Sequence, residues 1–153
     1  MTRSLFTALL PLVLALGCGG GASGPPLVPI EGTVTFDGQP LANANVQLIP
    51  QGQNQGQTGF AKTDAAGKFE IGTADGKTKG AAAGDYKIVI SKHIKPDGSD
   101  YVAKPDEDPM LANYKELLPA VYSNAEQTNL TTNVPAEGKK DLNFKLTKSG
   151  SGS

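Results

Sequence analysis

GDYKIVISK, residues 84–92, places Tyr86, Ile88 and Ile90 on one side of an extended chain and Lys87, Val89 and Ser91 on the other. Successive strand side chains point to opposite faces, so this period of two predicts a half-buried β-strand over Gly84 to Lys92. Upstream, residues 73–83 read as a loop, and before it comes TGFAKTDAAGKFEIG, residues 58–72. There Asp64-Ala65-Ala66-Gly67 predicts a hairpin turn, with an aspartate to bond its own backbone and a glycine for the left-handed position. Phe69 and Ile71 then face inward together.

The same pattern extends in both directions. Ala44 to Pro50 sets Ala44, Val46 and Leu48 on one face, with Pro50 as its stop. IEGTVTF, residues 30–36, alternates Ile30, Val34 and Phe36 with Glu31, Thr33 and Thr35 around a break at Gly32, and Asp37-Gly38 marks the following turn. Downstream, Thr128 to Val134 and Leu142 to Thr147 alternate likewise, the last with Leu142, Phe144 and Leu146 together. About seven short strands separated by turn residues predict an all-β sandwich. Nineteen glycines and 11 prolines in 153 residues suit that class better than a helical one.

Gly32-Thr33-Val34, Gly38-Gln39-Pro40-Leu41, Ala44-Asn45-Val46, Thr63 to Phe69 and Gly84 to Ile88 follow the order and spacing of carboxypeptidase regulatory-like domains. The chain resembles that family over residues 30–147. The resemblance implies a transthyretin-like, seven-stranded Greek-key β-sandwich. LLPAVYSNAEQTNLTTNV, residues 117–134, resembles small single-domain lipoproteins of the planctomycete type. In carboxypeptidases the related domain is an accessory to catalysis, so the resemblance implies no activity of its own.

The amino-terminal region carries an address. Arg3 precedes an apolar run from Leu5 to Leu16, which reads as an export signal over residues 1–17 and is too short for a membrane span of about 20 residues. Leu14-Ala15-Leu16-Gly17-Cys18 resembles the lipobox of bacterial lipoproteins, with Ala15 and Leu16 exchanged relative to the commonest order. The resemblance implies cleavage before Cys18 and diacylglyceryl attachment to its sulfur, with a further palmitate-type acyl chain on the new amino terminus. A free or intermolecularly bridged thiol would also account for a single cysteine. Two or three acyl chains hold a protein stably where one holds it marginally. Residues 19–29, GGGASGPPLVP, then read as a flexible tether and 149–153 as a disordered tail. The expected organisation is 1–17 signal peptide, 18–29 lipidated cysteine and tether, and 30–148 sandwich. The leaflet and the side of the envelope stay open.

Charge excludes one partner class. Arg3 is the chain's one arginine, and the thirteen lysines are scattered among fifteen acids, apart from Lys139-Lys140. Nucleic acid binding calls for clustered basic residues and is not expected.

Catalytic chemistry finds little material. His93 is the sole histidine, which excludes a multi-histidine metal site and reads as a surface residue at a strand end. Transthyretin-like hydrolases and intradiol dioxygenases use several His, Arg or Tyr residues that one histidine cannot supply. No catalytic residue, cofactor or metal ligand set is therefore expected. Residues 93–120 break the strand rhythm and gather Asp97, Asp100, Asp106, Glu107 and Asp108. These carboxylates offer oxygen ligands for calcium, with a solvated loop as the plainer reading. Asp108-Pro109 through Pro119 predicts one short helix, Asp capping and Pro119 ending it, with Met110, Leu111, Tyr114, Leu117 and Leu118 on one face. Tyr86, Tyr101, Tyr114 and Tyr122 offer aromatic surface for a glycan. The resulting expectation is a non-catalytic, lipid-anchored envelope protein that acts as a structural or protein-interaction module. Its alternative is a glycan- or calcium-binding module built on residues 93–120.

Overall fold

The computed structural model describes residues 24–102 and 112–152. The expected signal peptide, Cys18, and the insertion residues Asp106, Glu107, Asp108, Met110 and Leu111 lie outside the described residues. What is described is mostly β-strand with almost no helix. One four-stranded sheet runs in the order β11 (Thr131–Val134), β8 (Gly84–Ser91), β4 (Asn45–Pro50), β5 (Gly59–Lys62). In the other, β2 (Ile30–Phe36) pairs with β12 (Lys139–Leu146), β3 (Gln39–Pro40) and β6 (Lys68–Glu70). The β12–β2 ladder is parallel, with Phe144 opposite Val34, and so joins the last strand to the first long one. The other named ladders are antiparallel.

Alternation explains why the two sheets meet. Val34, Phe144 and Leu146 from one sheet and Val46, Leu48, Ile88 and Ile90 from the other belong to a single buried cluster. Each fully buried aliphatic side chain contributes about 1.5–3 kcal/mol of transfer free energy, which opposes the entropy of ordering the chain. Phe69 and Ile71 are buried as expected, and the Phe69 ring stacks 6.1 Å from Phe144. Val89, which alternation assigns to the polar side of β8, is buried too.

The turns form largely as their residues dictate. Asp37 and Gly38, with φ of 48° and 80°, close the β2–β3 hairpin. Both central residues at positive φ match the twist of the flanking strands. At the next turn, Asp64 Oδ1 accepts from the Ala66 and Lys68 amides at 2.8 and 2.9 Å, and Gly67 has φ 74°. The arms beyond it do not form a continuous hairpin: β5 pairs with β4, whereas β6 pairs with β2. They meet again only where Phe60 bridges Gly72.

Three expectations change. The helix predicted from Asp108 to Pro119 is not found in its described part. Residues 112–119 are not helical, Lys115–Glu116 form a strand, β10, and the short helix α1 is Ala120–Ser123. Pro119 therefore precedes the helix instead of ending it, accepting from the Tyr122 amide at 2.9 Å. The start of the sandwich also moves. Leu27–Val28, expected in the tether, form β1 and pair with β7, Ala81–Ala82. At the other end, the tail expected without order is hydrogen-bonded: the Gly150 amide donates to Thr147 O at 3.1 Å and the Gly152 amide to the Tyr122 hydroxyl at 2.5 Å.

These pairings give the sandwich two poles. β1 and β7 lie at the start of β8, whereas β8 ends at Ser91, opposite Asn45. Eight residues of strand put about 26 Å between the two ends.

Candidate functional site

The far end of β8 leads directly into β9, His93–Ile94. β9 pairs with β10, His93 opposite Glu116 and Ile94 opposite Lys115, so an excursion of the chain departs and returns at one place. The Glu116 carboxylate ties that junction. Its Oε1 accepts from the Lys92 and Leu118 amides, each at 2.9 Å, and its Oε2 lies 3.6 Å from His93 Nε2. The Leu117 amide donates to Lys92 O at 2.9 Å. A carboxylate accepting from two backbone amides satisfies donors that two residues of ladder leave over.

On this junction sits an aromatic cluster. The Tyr114 ring lies 4.4 Å from His93 and 4.6 Å from Tyr101, with interplanar angles of 32° and 27°. Tyr114 is 37% exposed and the neighbouring Val102 is 61% exposed. Half-exposed rings held by ladder and stacking offer apolar contact area at low entropic cost. The other two tyrosines of the predicted glycan-contacting set are elsewhere. Tyr86 is buried and donates to Ala82 O at 2.8 Å, and Tyr122 is buried in the core.

Behind the cluster lies a buried lysine, on the inward parity of Tyr86, Ile88 and Ile90, whose partners strand alternation does not reveal. Lys92 is 8% exposed; its ammonium donates to Ala42 O at 2.5 Å and pairs with Asp100 Oδ1 at 2.8 Å. The second oxygen, Asp100 Oδ2, accepts from Asn43 Nδ2 at 2.6 Å, and Asn43 itself has φ 56°. The Lys92 hydrogen bond, helped by Asn43, holds the Asp100 carboxyl below the usual carboxylate range. A depressed folded-state value means that this stabilisation is present above the unfolded value and lost as pH falls through the folded one. We expect acid unfolding below about pH 4 to have a component that Asp100→Asn removes, while the variant is already less stable at neutral pH. Circular dichroism melts from pH 7 to pH 2 check this; parallel curves for the two proteins would contradict it.

The carboxylates singled out for calcium thus have separate duties. Asp97 Oδ1 accepts from the Ser99 amide and hydroxyl at 2.9 and 2.7 Å, closing a local turn, and Asp100 serves Lys92. Among the described residues no group of three or more His, Cys, Asp or Glu is placed to hold a metal ion. Asp106, Glu107 and Asp108 lie outside them, as does Cys18. Among the described residues no helix is long and apolar enough to cross a membrane. Sequence reasoning named His93, Asp100, Tyr101 and Tyr114 and missed Glu116, Lys92 and Asn43. Each of the latter three acts through a contact distant in sequence, for which no local spacing gives a sign.

No protein-family model matches the chain, and no curated protein matches it. Among solved structures it is similar to a DUF3823 family protein from Parabacteroides merdae, at 16% identity and a TM-score of 0.39. The similarity covers 80% of this chain and 47% of that one, so the chain spans about half the length of that neighbour.

Proposed function

We propose that this protein is a non-catalytic, lipid-anchored module of the bacterial cell envelope. Acyl chains on Cys18 hold it to a membrane, and its His93–Tyr101–Tyr114 face meets another envelope protein. Its fold, in this reading, is the transthyretin-like Greek-key sandwich of carboxypeptidase regulatory-like domains. The observation that carries the proposal is the polarity of the molecule. The chain arriving from Cys18 enters the fold at β1, whose partner β7 leads into the start of β8, and the half-exposed aromatic cluster lies at the other end of that strand, which is about 26 Å long. An anchor at one pole and a rigid apolar patch at the other is the arrangement that display requires, because the contact patch then points away from the membrane. A carbohydrate partner is the second reading, favoured by the exposure of the Tyr114 ring beside polar groups.

Intact mass of the protein from its native envelope, with Cys18→Ser as control, tests the anchor. The expected chain begins at Cys18 and carries lipid mass that the control lacks; a mature protein without lipid defeats the proposal. Thermal unfolding with a glycan panel, calcium and chelator separates the partner classes. Ligand-dependent stabilisation lost in Tyr114→Ala supports the carbohydrate reading, and a flat response supports a protein partner.

A further inference from the structure

β12 is the outermost strand of its sheet. Among the described residues it pairs with β2 alone, and its other edge has no strand beside it. Which backbone groups that edge presents follows from the neighbouring bonds. The Val34 amide donates to Gly67 O and Ile30 O accepts from the Ile71 amide, so the even residues of β2 turn their polar groups away from β12 and the odd ones turn theirs toward it. With Thr33 opposite Asn143, a parallel ladder then bonds β2 to the amides and carbonyls of Leu142, Phe144 and Leu146. The Asp37 amide, which donates to Leu146 O at 2.9 Å, fits this parity. The N–H and C=O of Asn143 and Lys145 therefore point out of the open edge. The side chains of Asp141, Asn143 and Lys145 are exposed, while those of Leu142 and Phe144 are buried. Lys140 is 3.4 Å from Glu31, whereas Asp141 and Lys145 have no ion pair among the described residues. A groove of about 620 Å³ opens along the same edge, between β12 and β11, with Leu130, Leu142 and Phe144 in its lining.

We infer that a second copy of this chain pairs along this edge, β12 against β12, antiparallel about a twofold axis at Asn143. Charge names the occupant and the register. In Asp141-Leu142-Asn143-Phe144-Lys145 the two charges are opposite in sign and equidistant from Asn143. An antiparallel pairing centred there sets Asp141 opposite Lys145 of the second copy, and does so twice, once on each side of the axis. Asn143 faces its own copy with both backbone groups turned toward it, the arrangement in which facing residues exchange two hydrogen bonds. Leu142 and the second copy's Phe144 meet on the inner face. Opposite charges on facing strands stabilise the pair, and like charges destabilise it. Moving the axis by one or two residues separates Asp141 from Lys145, and placing it on either of them opposes like charges. An open edge is a template for another strand, and this edge is complementary to itself. The tail competes for one end of it: Gly152 lies against Lys145 O, so pairing displaces Gly152 from the Tyr122 hydroxyl, and that cost keeps the association reversible. Pairing of this kind is independent of the lipid anchor.

Sedimentation velocity over a concentration series tests the pairing, using the full chain with Cys18→Ser in mild detergent so that neither lipid nor a thiol joins the copies. The expected result is a reversible monomer–dimer equilibrium. Asp141→Lys and Lys145→Asp each weaken it about tenfold, because either change opposes like charges on both sides of the axis. Mixed in equal amounts, the two variants regain dimers, since one then supplies two lysines and the other two aspartates. Both side chains are exposed, so neither reversal disturbs the core, and recovery on mixing itself requires that both variants are folded. A chain that stays monomeric throughout overturns the inference. Dimers that survive either reversal unchanged, or variants that do not recover on mixing, place the contact on another surface and overturn it as well.

Discussion

Gly32→Ala lowers the stability of the folded protein by about 2–3 kcal/mol, and Gly32→Val by more. Gly32 sits in the middle of β2, between β12 and β6, facing Leu142 on one and Phe69 on the other. A Cβ added there falls 2.4 Å from Leu142 O, 2.6 Å from Phe69 Cζ and 2.7 Å from Leu142 Cβ. The nearest of these is a backbone oxygen within the parallel ladder, so relief requires the β2–β12 pairing to shift. The next is a ring that stacks on Phe144 in the core. A domain of this size has about 5–15 kcal/mol in total, so the valine variant loses a large share of it. Urea denaturation of purified protein measures the effect. An alanine variant within about 0.5 kcal/mol of the parent would mean that the strands separate here more easily than their packing indicates.

The second large effect is at Tyr122. Its side chain is fully buried, and its hydroxyl accepts from the Thr147 amide at 3.3 Å as well as from Gly152. Tyr122→Ala empties the space of an aromatic ring that packs α1 against the core and costs about 3–5 kcal/mol. Tyr122→Phe keeps the packing and removes only the acceptor, at about 1–2 kcal/mol. The two variants differ in kind as well as in size. In Tyr122→Phe the Gly152 amide loses protection from hydrogen exchange while the amides of β8 keep theirs; in Tyr122→Ala both become less protected. Equal losses in the two variants would show that the hydroxyl, and not the ring, carries the stabilisation.

Tyr122 also marks the point where local pattern stops being informative. Met110, Leu111, Tyr114, Leu117 and Leu118 suit one face of a helix by spacing, yet the described residues 112–119 are not helical. A two-residue ladder between β9 and β10, the Glu116 carboxylate on the Lys92 and Leu118 amides, and the stacking of Tyr114 on His93 hold them there. The Glu116–Lys92 and Tyr114–His93 contacts span more than twenty residues, and the ladder is too short to leave a period. The same limit hides the partners of Lys92. Its parity puts it on the inward side with Tyr86, Ile88 and Ile90, and only the approach of Ala42 and Asp100 makes the burial of an ammonium there tolerable.

Where the controlling interaction is local, reading residue by residue succeeds. Asp37-Gly38 and the turn from Asp64 to Gly67 close as their side chains and positive φ values dictate. The inward sets Val46, Leu48; Tyr86, Ile88, Ile90; and Leu142, Phe144, Leu146 are buried because a period of two leaves each strand one apolar face. By itself, then, the amino-acid sequence determined that this chain is built of half-buried strands, where its tight turns fall, and which side chains seek the interior. All of these follow from steric and solvation preferences acting within a few residues. The tertiary structure alone decided that β12 runs parallel to β2, that β6 leaves its hairpin partner for the other sheet, and that His93, Tyr101 and Tyr114 gather above Glu116. Strand edges carry the same backbone donors and acceptors whatever their sequence, so their partners are chosen by how the whole set of apolar faces can be buried at once.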